Sequence, residues 1–168
     1  NAGLPVRLIW SKGSTATEAE NNSGNTISNC NLYDCFSAAS VARMIDISAG
    51  SAAFIIEANK FYQTDARAQT TGSEFRAIGI DNATSGNNFL VAGNTIGYST
   101  LSGTGSLSLS GVSGSRLKAI YISAGSSGTS VVSNNIVSRI SVTGNLGGTG
   151  SSAVFSAIHV AAGSVNVT

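Results

Sequence analysis

Five short stretches of the chain each place one chemically interesting residue between two inward-facing positions: Trp10, Asp46, Gly79, Tyr121 and His159. In an extended run of period two, a residue flanked by buried isoleucines points out. If the five stretches stack, these side chains form one solvent-facing column with three ring-bearing residues and a carboxylate. Aromatic faces hold sugar rings and an aspartate can fix a hydroxyl, so the chemistry of this column is ligand binding. The competing account is an ordinary outer face of a sheet, since aromatic residues favour strands in any case.

A second column is cationic: Arg7, Arg43, Arg76 and Lys118 stand at the entrance of the same runs. Pointing outward, they would make a basic stripe suited to an acidic polysaccharide; the alternative is a set of solvated corner residues. Strict alternation from Ile78 would turn Arg76 inward, so an outward Arg76 requires a bend or bulge. No catalytic set emerges. Asp46 shares the column of His159 but lies about three layers away, on the order of 14 Å, beyond hydrogen-bond reach. Asp34, Asp65, Glu74 and Asp81 fall on different copies and corners, which implies neither a calcium site nor a glycosidase pair. Asp81 reads as a turn former. No metal and no cofactor is implied. Asn82-Ala83-Thr84 and Asn166-Val167-Thr168 match the three-residue glycosylation sequon, a weak pattern.

Two further signals are structural. Asn59, Asn94 and Asn134 recur at equivalent corners, with Cys30 standing in their place in the first copy. Asparagine tolerates the left-handed backbone region, and its amide can bond the equivalent amide one layer on, which makes a ladder. Cys30 and Cys35 are the only cysteines. A turn between them could close a disulfide in an oxidising compartment. Alternatively they are two free thiols, and both readings stay open. A zinc site lacks a second ligand pair.

The elements that would position these residues are repeats. Phe75-Arg76-Ala77-Ile78-Gly79-Ile80, a polar bend, and a second run ending Asn94-Thr95-Ile96 form one unit. It recurs from Leu117 to Ile136, from Met44 to Phe61, in worn form from Val6 to Leu32, and in part from Phe155 onward. The leading isoleucines Ile45, Ile78, Ile120 and Ile158 recur at roughly thirty to forty residues, the range of stacked repeats. Within each copy the period is two, which is strand. So short a unit buries its inward face only by stacking, at about 4.8 Å per layer. The expected fold is all-β, a single-stranded parallel β-helix of about four to five coils with long corner loops. Residues 1–168 make one domain. The inserts Tyr98 to Arg116 and Arg139 to Val154, and the polar stretch Ser14 to Gly24, are corner loops; either insert has room for a third strand. Phe54, Ile56 and Phe61 repeat the pattern of Phe89, Val91 and Ile96, so aromatic side chains are expected inside.

Composition narrows the class. Nine basic and eight acidic residues give a net charge of +1, no electrostatic reason to expect nucleic acid. Only 10% of residues are charged, so the surface rests on Ser, Thr, Asn and Gly, the style of secreted repeat proteins. No apolar run is long enough for a membrane helix. The chain begins at Asn1 without a leader pattern, so any export signal is removed or lies outside it. The final Ser164-Val165-Asn166-Val167-Thr168 stops where other copies enter their second strand. A piece of a longer protein, flanked by neighbouring repeats of the same parent chain, is expected.

The motifs I-x-I-S-A-G-S, F/L-x-A-I-x-I, G-N-T-I and S-N-N-I, spread over almost the whole chain, resemble the degenerate strand repeats of right-handed parallel β-helix proteins. In style they look like repeat regions of large secreted or surface-attached adhesin-like proteins of Bacteroidota. The resemblance implies a right-handed coil and a structural or adhesive segment at the cell surface or outside the cell. Its partner would be a polysaccharide or another cell-surface component. The alternative is a polysaccharide lyase or glycoside hydrolase with its active coil partly outside this segment; pectate-lyase-like clustered aspartates are absent from the pattern, and fold alone does not choose.

Overall fold

The structure is a computed structural model that describes residues 3–15, 18–144 and 148–168. Residues 16–17 and 145–147, within two of the expected loops, lie outside the described residues. What is described is all-β, and every strand pair is parallel.

The first sheet takes Arg7–Ser11, Ala42–Ile47, Glu74–Asn82, Arg116–Ala124 and Phe155–Ala162 in chain order. A second is built from Thr26–Ser28, Ile55–Glu57, Leu90–Ala92, Ser130–Ser133 and Val165–Val167, and a third from Asn31–Tyr33, Lys60–Tyr62, Thr95–Gly97 and Ile136–Ser138. The fourth holds Arg67–Ala68, Leu107–Gly111 and Ile140–Gly144. Chain order follows spatial order in each of these four sheets, so each pass deposits at most one strand per sheet before returning to the first; a fifth sheet pairs only Asn22–Ser23 with Ser51–Ala52. That arrangement is consistent with a β-helix-like fold. Two of the fourth sheet's strands come from the inserts, which therefore carry a third strand and are not loops throughout.

Like residues lie over like residues inside. Ile9, Ile45, Ile78, Ile120 and Ile158 are successive partners in the first sheet. Ile27, Ile56, Val91 and Val132 form the corresponding row of the second, which the exposed Val167 continues in the last strand, and Leu32, Phe61, Ile96 and Val137 that of the third. Phe54, Phe61 and Phe89 are buried with them. Each such side chain, fully buried, contributes on the order of 1.5–3 kcal/mol. Within Glu74–Asn82, Ala77 and Ile78 are both fully buried. Two consecutive inward residues break the alternation there, and this brings Arg76 onto the outer face.

The corner between the second and third sheets corrects the asparagine register. Asn59, Asn94 and Asn135 form the ladder, while Asn134 does not. Asn94 Nδ2 donates to Ile56 O and to Asn135 Oδ1, each at 2.9 Å, and Asn94 Oδ1 accepts from the main-chain and side-chain nitrogens of Asn59, both at 3.1 Å. Asn59 repeats this one layer down, accepting from Cys30 N at 2.9 Å. The residue before each ladder position must take a left-handed backbone: Asn29, Ala58, Gly93 and Asn134 have φ of 55°, 54°, 63° and 54°. In the pair Asn134-Asn135 the first asparagine makes the turn and the second makes the rung.

The cysteines are free thiols. Cys30 Sγ donates to Ser28 O and Cys35 Sγ to Arg43 O, both at 3.3 Å. The strand Asn31–Tyr33 runs extended between them and carries the two sulfurs to different corners, so no bridge forms. Burial raises the Cys35 thiol pKa to about 12.

Two expectations follow. Asn94→Ala leaves the buried donors of Asn59 without their acceptor, at roughly 1–3 kcal/mol for each unpaired group. Asn134→Gly, which suits a left-handed position, should leave the denaturation midpoint nearly unchanged; equal losses in the two variants would contradict the assigned register. In the native protein a thiol reagent should modify Cys30 alone, with Cys35 reacting only after unfolding, as counted by intact-mass measurement.

Candidate functional site

The outward face of the first sheet gathers Arg7, Arg43, Arg76, Arg116 and Lys118, five of the chain's nine basic residues. Register explains the gathering: Arg7, Arg43, Arg76 and Lys118 are successive cross-strand partners, and Arg116 pairs with Glu74. The column Trp10, Asp46, Gly79, Tyr121, His159 is likewise continuous through the five strands.

Three carboxylates are threaded among these cations. Asp46 accepts from Arg7 Nε at 2.5 Å, from Arg43 Nη1 at 3.1 Å and from Ser48 Oγ at 3.1 Å. Glu74 bonds Arg76 Nε, lies 2.9 Å from Lys118 Nζ and is 3.4 Å from Arg116 Nε. Asp81, half exposed and part of the strand, stands 3.6 Å from Arg76 and 3.9 Å from Arg43; it is no turn former. The basic column is therefore not a set of solvated corners. Arg76, Lys118 and Glu74 are buried in one ionic network.

Two expected ligand contacts need correction. Asp46 is fully buried. Desolvating a carboxylate is expensive unless cations compensate, and Arg7 and Arg43 close over it to do so. It holds these arginines and, through Ser48, the indole Nε1 of Trp10 at 3.3 Å. Tyr121 offers no free ring face: the Arg76 guanidinium carbon sits 3.5 Å from its centroid on one side, and His159 stacks on the other at 5.4 Å and 8°. Such a desolvated cation–π contact is worth about 2 kcal/mol. Gly79 makes the packing possible, because a Cβ there would come within 3.0 Å of Arg43 Cδ and 3.3 Å of Arg76 Cδ. Trp10 remains open, 58% exposed, and His159 is half-buried at the far end.

The network leaves donors over. Among the described residues Arg43 Nε, Arg76 Nη1 and Arg116 Nε are buried without a hydrogen-bond acceptor. Glu74, Arg116 and Asp81 belong to this site and had not been joined to it in the sequence, although their spacing from Arg76 and Lys118 along the same strands carried the signal. Elsewhere, Asn82 of the first sequon is buried and donates to Ser51 O at 2.9 Å, which removes it as an acceptor; Asn166 is exposed. No family model, curated protein or solved structure matches this chain.

Burial pushes the Glu74 carboxyl up, but Arg76 and Lys118 outweigh it and hold the group below its ordinary value of 4.5. His159 is lowered from 6.5, first by burial and then by the charge of Lys118. Both shifts have one sign for stability. The unfolded chain binds each proton more readily, so stability falls on acidification, first below about pH 6.5 through His159 and again below about pH 4.5 as Glu74 protonates. Glu74→Ala should destabilise by about 3–5 kcal/mol at neutral pH, since the buried cations lose their partner. It should also flatten the lower acid limb of the urea-midpoint profile while the upper limb persists and extends to lower pH, because Glu74 no longer raises His159; an unchanged lower limb would rule out Glu74 as its source.

Proposed function

We propose that this chain is a structural and adhesive segment of a secreted or cell-surface repeat protein. In this reading it is a right-handed parallel β-helix of about four to five coils, the hand favoured for parallel crossovers. Its first-sheet outer face binds an anionic polysaccharide. The observation that carries the reading is the concentration of five cations against three carboxylates on one face of a chain that is otherwise poor in charge. Arg7 and Arg116 keep part of their side chains exposed, Trp10 supplies an open ring, and His159 ends the row. From Trp10 to His159 the column spans four layer steps, about 19 Å. Cationic groups repeating at the layer spacing suit carboxylates repeating along an extended sugar chain. Buried Asp46 and Glu74, with the half-buried Arg43, are positioning residues in this scheme.

A second reading is a polysaccharide lyase or hydrolase, favoured by one cluster: His159, stacked on Tyr121 beside Arg76 and Lys118 and held toward its neutral form, could accept a proton. A panel of uronate-rich and neutral polysaccharides separates the two readings. Retention of the protein on the acidic polymers, weakened at least tenfold by Arg7→Gln with Trp10→Ala and by added salt, without release of product, is expected. Product release abolished by His159→Ala would establish the enzyme instead. Equal retention on neutral and acidic polymers, indifferent to salt, would overturn the anionic-ligand proposal.

A further inference from the structure

A cleft of about 260 Å³ opens on the outward face of the third sheet, lined among others by Lys60, Tyr62, Thr95, Tyr98, Leu101 and Ile136. It lies where an outward column is interrupted. Tyr33 and Tyr62 are cross-strand partners whose rings stack at 5.1 Å and 12°. The next layer continues the column with Gly97, which has no side chain to set over Tyr62. No other residue fits there: φ is 130°, and a Cβ would meet Ser138 O at 1.7 Å. The aromatic stack therefore ends at Tyr62.

The segment after Gly97 forms the wall. Tyr98 takes a left-handed backbone, φ 67°, and its hydroxyl accepts from Ser138 Oγ at 2.9 Å. Thr100 closes the loop by bonding Thr104 Oγ1 at 2.8 Å and accepting from Thr104 N at 3.1 Å, while Ser99 N donates to Thr104 O at 3.0 Å. Lys60 Nζ reaches Leu101 O at 3.5 Å from the cleft floor. These bonds build the wall before any ligand arrives, which limits the ordering entropy that binding must offset.

We propose that this cleft is a binding site for a single neutral pyranose ring, separate from the charged face and independent of it. The volume falls just short of the about 300–1,000 Å³ of drug-sized sites, which leaves room for one ring. The half-buried ring of Tyr98, with the exposed aliphatic side chains of Leu101 and Ile136, offers the apolar surface that the C–H face of a sugar covers, above the buried Tyr62. The rim supplies hydroxyl groups from Thr95 and Ser102, matched to a ligand that both donates and accepts, while the Thr100 hydroxyl is taken up within the loop. One ammonium stands there, in contact with Leu101 O at 3.5 Å, and no carboxylate lines the cleft. With Lys60 taken as part of the wall, the ligand is uncharged, whereas the ligand proposed for the first sheet is acidic; a methyl glucuronide that binds here more tightly than the methyl glucoside would overturn this assignment.

The test uses the full 168-residue chain with methyl-labelled leucine and isoleucine, titrated with the methyl glycosides of glucose, galactose and N-acetylglucosamine. At least one should shift the Leu101 and Ile136 methyl signals saturably, with a Kd of about 1 mM. Tyr98→Ala should weaken that binding at least tenfold, and so should Leu101→Asp, which alters an exposed position and spares the fold. Arg7→Gln and added salt should leave it unchanged, so failure here is distinguishable from failure of the charged face. Absence of any shift, shifts that survive both substitutions, or shifts that depend on protein concentration without sugar, the mark of self-association through Leu101 and Ile136, would each overturn the proposal.

Discussion

Cross-strand registry between parallel strands governs everything else in this molecule. When each strand pairs in parallel with its counterpart one pass later, every side chain inherits a neighbour at about 4.8 Å from the equivalent position. For isoleucine the consequence is favourable, since like shapes pack in like rotamers and the inner rows fill. For asparagine it is also favourable, because an amide both donates and accepts and can therefore bond its own kind. For arginine it is adverse. Two guanidinium charges one layer apart repel by about 3.5 kcal/mol at an effective dielectric of about 20. The row Arg7, Arg43, Arg76, Lys118 is tolerable only because Asp46, Glu74 and Asp81 enter from neighbouring rows and Tyr121 takes the face of Arg76. The outer face is thus an electrostatic solution to a problem that the repeat itself creates.

That solution shapes what the face can do. Three carboxylates absorb much of the positive charge, yet their oxygens are too few for all the donors, and the surplus falls on Arg43, Arg76 and Arg116. A network short of acceptors keeps a positive potential while holding its side chains in place. Mobile surface lysines would lose side-chain entropy on meeting a ligand; guanidinium groups already locked by Asp46 and Glu74 lose less. Rigidity here comes from the buried anions, which touch no ligand themselves.

Much of this was legible in the sequence, and the failures have physical causes. The alternation in Ile45-Asp46-Ile47, Ile78-Gly79-Ile80 and Ile120-Tyr121-Ile122 sufficed to align the outward column, because period two and repetition together leave one register. The burial of Asp46 was not legible. Facing outward and being exposed are different properties once long neighbours fold over a short residue. Asn134 was preferred to Asn135 because both are asparagine; only the preceding residues Ala58 and Gly93, one turn-maker per corner, distinguish rung from turn. The strand Leu107–Gly111 was hidden by the sequence Leu-Ser-Leu-Ser-Gly, whose alternation is clear but whose Ser/Gly surroundings read as loop. The cleft beside Tyr98 left no trace at all, since it lies where Gly97 interrupts the outer column, and a glycine in a glycine-rich chain announces nothing.

The two sites also differ in how strength can be reached. In the proposed roles, a single ring in the cleft buries little area, and the exposed parts of the charge row, at Arg7 and Arg116, are screened by salt, so each site alone is weak. Repetition changes the outcome. A polymer held at one layer is confined near the next, and its later contacts become intramolecular, with an effective concentration reaching the millimolar range for short flexible tethers. A rigid stack has an advantage over a flexible tether here, because its spacing does not fluctuate with linker length. In the proposed binding role, the same cross-strand registry that forces arginines into one row would also turn weak contacts into a graded surface, on which affinity grows with the number of layers and not with the quality of any one pocket.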